Sequence, residues 1–331
     1  VLIPALDEES DIEGCIASIA AQDHPLGRIE VVLVDGGSRD GTVAVAHASA
    51  ASVPFASFRV VDNPRRRTSI GLQRGLEVAT GEYVVRIDAR SRVQPDYVRT
   101  TVGVLTNRPD VGVVGGAQVP SARSARLVER GIARALRNRY TTGLSRYRRA
   151  SGDGPADTVW MGVFRTAELR ELGGWDERVA LNEDWELNAR YRAAGRVVWF
   201  LSGQRSRYLS RSTYRLLARQ YFRFGRVKGL WWMRGQRPEP RQVALVAAPP
   251  LAAVVATLVI RRVGWRAVLA APLVALVLDE LGSPEPPTDQ AERVAAVAAT
   301  AVSSAAWWTG IVVGTAADRL GVEHEHGVSV S

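Results

Sequence analysis

The sequence predicts an α/β region built on an open, mostly parallel sheet and followed by helices that cross a membrane. Three observations carry this. Short apolar runs alternate with helix-period segments over the first two hundred residues. Two of those runs end in acids, Asp35 and Asp88, and in such sheets ligands bind beyond the carboxyl ends of the strands. Two later stretches, Val243 to Ile260 and Val294 to Ala317, are uncharged over 18 and 24 residues and reach spanning length.

Each element follows from its local pattern. Val1 to Leu6 reads as a buried strand, and Ile12, Cys15, Ile16 and Ile19 then recur at helical spacing along one face. Glu30 to Val34 is the next strand; it runs into the turn Asp35-Gly36-Gly37-Ser38-Arg39-Asp40-Gly41, with a helix from Thr42. Phe58 to Val61, Tyr83 to Ile87 and Val111 to Val114 are further strands, separated by helices from Ser69 and from Pro95. The catalytic region is expected to end near residue 235, with a membrane region over 242–317 and a tail over 318–331. Between the long uncharged stretches, Ala267 to Leu278 gives 12 uncharged residues, short for a span and suited to a re-entrant or interfacial helix. Pro249-Pro250 would break a soluble helix but is tolerated in a membrane one whose neighbours satisfy the freed carbonyls.

Charge gives the orientation. From Gly203 to Arg241 there are ten Arg and Lys228 against one acid, Glu239, which by the positive-inside rule holds this flank in the cytoplasm. The expectation is a multi-pass protein of the cell's inner membrane with a cytoplasmic catalytic domain, two or three helices being spanning or re-entrant. A loop from Asp279 to Arg293 with five acids and one Arg would then lie inside, against the rule. A lone cysteine, Cys15, forms no intramolecular disulfide and asks for no oxidising compartment. The net charge of +9 is not read as a nucleic-acid signal, because Lys228 is the single lysine and the Arg excess goes with an Ala- and Val-rich composition.

Three motifs offer chemistry, and each also has a plain structural reading. The Asp35 turn is either a tight turn, with Gly37 supplying positive φ and Asp40 capping the next helix, or a place where Asp35 accepts hydrogen bonds from a ribose or base while the glycines let a nucleotide approach. Asp88, in Arg86-Ile87-Asp88-Ala89-Arg90, is either a solvated strand-end acid or a carboxylate that holds a divalent cation against a diphosphate. Asn182-Glu183-Asp184-Trp185-Glu186 is either a capped, acid-rich helix start or the seat of a general base.

Their order is more specific than any one of them. Pro4-Ala-Leu-Asp7-Glu8-Glu9, the Asp35 turn, Asp88-Ala-Arg90, Asn182-Glu-Asp184 and Gln220-Tyr-Phe-Arg223-Phe224-Gly225 together resemble the family 2 glycosyltransferases of the GT-A fold. Within that family the likeness is to the ExoA-like subgroup of succinoglycan glucosyltransferases. It rests on Asp35 to Thr42, Asp157-Thr-Val-x-x-Gly162, Asn182-Glu-Asp-x-Glu-Leu-Asn188 and Arg211-Ser-Thr with Arg219-Gln-Tyr-Phe-Arg-Phe-Gly225.

The resemblance implies a GT-A nucleotide-diphospho-sugar transferase fold and an inverting transfer of a hexose from a nucleotide sugar, with UDP as the expected nucleotide. Glu8, Asp35 and Gly37 would meet the nucleotide, Asp88 would hold Mg²⁺ or Mn²⁺, and Asp184, with Glu183 beside it, matches the family's base. Gln220, Arg223 and Phe224 would meet the acceptor's diphosphate, as a variant of a Gln-x-x-Arg-Trp signature. The acceptor is expected to be a polyprenyl-diphosphate-linked glycan at the membrane, and no nucleic acid is expected. Two departures stand out. Arg90 replaces the subgroup's His and, having only donors, cannot ligate a cation; it either hydrogen-bonds the diphosphate or pairs with an acid such as Asp96. Leu72-Gln73 stands where many members have Arg-Asn. Other readings are the same chemistry on a glycolipid or growing polysaccharide, and a non-catalytic membrane-anchored nucleotide or nucleic-acid binder, for which the basic and aromatic run Arg215 to Trp232 would serve.

Overall fold

Parallel strands need a crossover that returns the chain to the same end of the sheet, and the first sixty residues supply two. In a computed structural model of the protein, β1 (Leu2–Ala5), β2 (Glu30–Asp35) and β3 (Ser57–Asp62) form a parallel sheet, with α1 (Glu9–Ala20) and α2 (Thr42–Ala50) as the crossovers. The structure describes residues 1–138, 152–179, 181–233, 243, 246–247, 257–258, 261–262, 271–283, 285–287 and 289–319. In register, Ala5, Asp35 and Asp62 lie level at the carboxyl end, which puts the Asp35 turn where ligands approach.

The second sheet differs from the mostly parallel expectation. After α3 (Thr68–Val78) the strands are β4 (Tyr83–Val85), β5 (Ser91–Arg92), β6 (Val111–Ser121), β7 (Gly154–Pro155), β8 (Trp160–Arg165) and β9 (Val197–Leu209), in the order β4-β8-β6-β9-β5 with β7 on β9. Its β4–β8, β5–β9, β6–β8 and β7–β9 pairings are antiparallel. The reason is the excursion between β6 and β8, which carries α5 (Leu127–Arg137) and brings the chain back running the other way. The sheet is therefore mixed. A parallel bridge between Leu2 and Arg86 links the two halves just beyond β4.

Both faces are covered. Ile12, Cys15, Ile16 and Ile19 are fully buried on one side, together with Ala46 of α2 and with Tyr97 and Leu105 of α4 (Tyr97–Asn107). On the other side Leu72 and Leu76 of α3, Leu169 of α6 (Thr166–Glu171) and Leu187 and Tyr191 of α7 (Glu183–Ala193) pack around Phe164 and Trp175, whose rings meet edge to face at 5.6 Å. The strand and helix positions of the sequence reading thus hold, with β4 shorter and β6 longer than expected.

The chain divides into two compact units, Val1–Val119 with Ser145–Leu209, and Pro120–Leu144 with Ser210–Val330. The helix expected to close the catalytic region, α8 (Tyr214–Met233), belongs to the second unit, along with α5, α9 (Ala271–Gly282) and α10 (Gln290–Arg319). Ile132, Ala135 and Leu136 of α5, Leu217 of α8, and Ala296 and Ala299 of α10 form its core. Gly225 and Gly229 face Gly310 and Gly314 so closely that a Cβ on Gly225 would sit 2.0 Å from the Trp307 carbonyl oxygen. Such Gly-x-x-x-Gly pairs let helix backbones touch, as they do between membrane helices. On α8, Leu217, Gly225, Val227, Leu230 and Trp231 are buried, while Leu216 is 38% exposed.

Among the described residues one helix, over Gln290–Ala316, is long and apolar enough to cross a membrane, and only 28% of its apolar window is buried within the chain, unlike a soluble core helix. Helix α9, with 12 residues, is too short to span. Most of Val243 to Ile260, expected as a further span, lies outside the described residues. The acids at the end of α9 and in the loop before α10 are met by α5: Arg134 Nε lies 2.7 Å from Asp279, Arg130 2.9 Å from Asp289 and Arg137 2.6 Å from Glu285. The first of these pairs is buried at both ends.

Candidate active site

The loops after β1 and β2 are laced together by their own side chains. Asp35 Oδ2 accepts from the Gly37 and Ser38 amides, both at 3.0 Å, and its Oδ1 from the Ser38 hydroxyl at 2.5 Å. Gly37 has φ 73°, the left-handed conformation the turn demands, with open space where a Cβ would be. The Arg39 amide donates to Asp7 Oδ1 at 2.8 Å, the Asp7 amide to Ser38 Oγ at 2.9 Å, and the Glu8 amide to Thr42 Oγ1 at 2.8 Å. Asp35 is buried, and its carboxylate already serves its own turn three times. Asp40 accepts from the Thr42 amide at 3.1 Å, but the N-cap position of α2 is Gly41, which has no side chain to cap with.

Glu8 turns to the neighbouring strand end. Its Oε1 lies 3.2 Å from Arg90 Nε, and the Arg90 guanidinium sits 5.2 Å from the centre of the Tyr208 ring. Arg90 therefore neither points to solvent nor pairs with Asp96, whose carboxylate instead takes Gln204 Nε2 at 3.1 Å and the Thr100 hydroxyl at 3.2 Å. Arg90 Nη1 is buried without a hydrogen-bond partner among the described residues.

The centre of the site is a residue the motif reading passed over. Arg86 is 5% exposed, and its Nε donates to Asp88 Oδ1 at 2.8 Å, its Nη2 lies 2.9 Å from Glu183 Oε1, and its Nη1 meets Asp184 Oδ1. One guanidinium thus gathers the expected metal-binding carboxylate and the expected base, the latter 98 residues away in sequence. The signal was available: a charged residue at the end of an apolar strand is costly unless partners await it. The three carboxylates hold Arg86 firmly protonated. Asp88 Oδ2 takes the Trp160 indole N–H at 3.2 Å, and the Asp88 amide points at the Met161 sulfur.

Asn182 precedes α7 as expected but does not cap it with its side chain; it adopts φ 61°, and its Nδ2 is buried without a partner among the described residues. With Asp7 and Met161 it is one of several non-glycine residues at positive φ around the site, a form of strain that functional sites retain. Burial pushes the Asp184 carboxyl up to about 7; Arg86 opposes the rise, and Glu183 and Asp88 add to it. A carboxylate titrating there is suited to general base work near neutrality. Its Oδ2 has no protein hydrogen bond among the described residues.

Among the described residues no group of three His, Cys, Asp or Glu side chains could hold a metal ion, and Asp88, Glu183 and Asp184 share the Arg86 guanidinium. Asp88 fits as a single protein ligand, which suffices where the other positions are filled by the diphosphate of a bound nucleotide. Gln220, Arg223 and Phe224 lie on α8 of the second unit: Gln220 Oε1 accepts from Arg211 Nε at 3.2 Å, Phe224 stacks edge-on against Tyr221, and Arg223 is exposed.

A mixed sheet with acids at its strand ends, a helix-borne carboxylate facing them and a polar loop cradle defines a glycosyltransferase of the GT-A fold. The chain belongs to glycosyl transferase family 2, whose model matches residues 1–167, and it acts on a nucleotide sugar. It is 30% identical over 256 residues to the succinoglycan biosynthesis protein ExoA of Rhizobium meliloti (strain 1021), covering 76% of each chain. It is 23% identical over 242 residues to a dolichyl N-acetyl-alpha-D-glucosaminyl phosphate 3-beta-D-2,3-diacetamido-2,3-dideoxy-beta-D-glucuronosyltransferase of Methanococcus voltae, covering 71% of this chain and 74% of that one. The mannosyltransferase PcManGT of Pyrobaculum calidifontis, solved with GDP-Man and Mn²⁺, shares the fold at a TM-score of 0.63 and 20% identity over 96% of this chain and 86% of its own.

Proposed function

We propose that the protein is an inverting hexosyltransferase that moves sugar from a nucleotide sugar, a UDP-hexose in our reading, to a polyprenyl-diphosphate-linked glycan at the cytoplasmic face of the inner membrane. The observation that carries this is the convergence of Asp88 and Asp184 on Arg86. This convergence supports a reading in which a leaving-group carboxylate and a base act around one point, as an in-line displacement needs. Two relatives whose names place them in polysaccharide or lipid-linked glycan assembly support the acceptor class.

In this reading Asp184 removes the acceptor hydroxyl's proton through Oδ2 as oxygen attacks the anomeric carbon from the face opposite the diphosphate. The configuration inverts, as in glycosidases where a carboxylate activates the nucleophile across the ring. A divalent cation held by Asp88 would supply Lewis-acid stabilisation of the departing diphosphate. Arg90, through its unpartnered Nη1, adds a charge-assisted hydrogen bond to that diphosphate. Glu8, Asp35 and Gly37 bound the nucleotide's place. On α8, Gln220, Arg223 and Phe224 are assigned to the acceptor's diphosphate, and the surrounding arginines to anionic headgroups. Helix α10 is the anchor.

The test is a panel of nucleotide sugars offered to membranes carrying the full chain and lipid-linked acceptors, with the product's linkage and anomeric configuration determined. Retention of configuration, or transfer to soluble acceptors alone, would overturn the reading.

A further inference from the structure

Arg86 is pinned before its side chain does anything. Its amide donates to the Gly162 carbonyl at 3.2 Å on one side, and on the other it is bridged to Leu2, with the next amide, Ile87, donating to the Leu2 carbonyl at 3.0 Å. The backbone is therefore fixed at the seam of the two sheets, and the guanidinium has little freedom of aim. It spends three nitrogens on three carboxylates from two elements, the end of β4 and the first turn of α7. A guanidinium is a rigid planar fork, so the positions of Asp88, Glu183 and Asp184 are set relative to one another by its geometry. Stability alone gives no reason for this: a buried ion network is commonly no better than well-packed apolar residues of the same volume.

Resting on the base assignment above, we infer that Arg86 is a positioning residue for the transfer step, fixing the separation between the leaving-group carboxylate Asp88 and the base Asp184. It touches neither sugar nor nucleotide. Its effect is on how Asp184 Oδ2 is presented when donor and acceptor are both bound, so removing the fork acts on turnover and leaves nucleotide-sugar affinity nearly alone. A misplacement of about 1 Å at a reacting group costs on the order of 10²-fold in rate. Lysine keeps the charge but offers a flexible point donor in place of the fork, so it does not restore the geometry.

The experiment uses the full chain in bilayers, with Arg86→Lys, Arg86→Ala and Asp184→Asn compared by nucleotide-sugar calorimetry, thermal melting and transfer kinetics. Arg86→Lys is expected to lower kcat about 10²-fold while the nucleotide-sugar Kd changes by less than about threefold. Added guanidinium at non-denaturing concentration is expected to restore about tenfold or more of the Arg86→Ala rate, and tetramethylammonium at equal concentration to restore none, because only guanidinium reproduces the fork. In Arg86→Lys/Asp184→Asn the losses are expected not to add, since both act through one carboxylate. Near wild-type kcat in Arg86→Lys overturns the inference, as does a loss of nucleotide-sugar affinity parallel to the loss of rate. If Arg86→Ala does not fold, Arg86→Lys and the double variant decide. Full transfer by Asp184→Asn would instead sink the base assignment, whereas an inactive Asp184→Asn beside an active Arg86→Lys sinks the positioning role alone.

Discussion

Glu8 and Arg90 form an ion pair at 3.2 Å, so the residue that departs from the subgroup's pattern is joined to one the pattern gives to the nucleotide. With a histidine at 90 that pair would be absent and a metal ligand present. Arg90→His is therefore expected to make transfer more dependent on added Mn²⁺ and to tighten Mn²⁺ binding at saturating nucleotide sugar, while the wild type keeps measurable activity in chelator. Metal titrations of both proteins check this; identical dependence would remove Arg90 from the leaving-group side.

Asp184→Asn is expected to bind nucleotide sugar almost as the wild type does and to turn over roughly 10²-fold more slowly or worse, the usual worth of a positioned base. Calorimetry beside a transfer assay decides it. A variant with near wild-type transfer would pass the base role to Glu183, to be tested next as Glu183→Gln.

The raised pKa of Asp184, about 7, gives the transfer rate a direction with pH. Below that value the carboxyl is protonated and cannot accept the hydroxyl's proton, so kcat/KM for the acceptor should climb with pH through about 7 and level off above. Glu183 and Asp88 both push the value up. Removing one negative neighbour in Glu183→Gln should move the rising limb to lower pH; an unmoved limb would mean that another group titrates.

In the second unit, Arg134 and Asp279 pair with both side chains buried. Arg134→Ala leaves an uncompensated carboxylate and is expected to cost about 3–5 kcal/mol, whereas the apolar pair Arg134→Met/Asp279→Leu should recover most of that. Thermal unfolding of the full chain in detergent measures both. Equal losses in the single and double variants would show that the charges themselves are needed.

Ending the chain after about residue 235 removes α10, and with it the backbone against which Gly225 and Gly229 of α8 lie and the Ala296–Ala299 side of the second unit's core. The first unit's helices, both clusters and carboxylates remain. Such a protein is expected to bind nucleotide sugar but to transfer poorly to lipid-linked acceptor, since the anchor that concentrates enzyme and acceptor on one surface is gone. Full activity in bilayers at low enzyme concentration would give the helix another purpose. The full chain should resist high-salt extraction, because salt screens arginine contacts but does not release a spanning helix.

Much of the architecture was legible because period and punctuation agree in this chain. Ile12, Cys15, Ile16 and Ile19 are buried as their spacing requires, and Asp35 and Asp88 stand at strand ends as their apolar runs require. What the sequence could not carry was long-range. The antiparallel half of the sheet depends on where an excursion returns, which no local pattern encodes. Arg86 looked like one more arginine in a chain rich in them, because its meaning lies in Glu183 and Asp184, far along the chain. Likewise, the acids from Asp279 to Asp289 are met by Arg130, Arg134 and Arg137 of α5, partners too far upstream for any local pattern to reveal.

That last arrangement sets a timetable for the protein's making. Arg130 meets Asp289 across 159 residues, so at about 5–20 residues per second a ribosome delivers the acid roughly 8–30 s after the arginine. Until then α5 lacks its full set of charge partners and the α10 face that covers Ile132 and Ala135. The packing around α5 is therefore completed only when the last long helix has emerged.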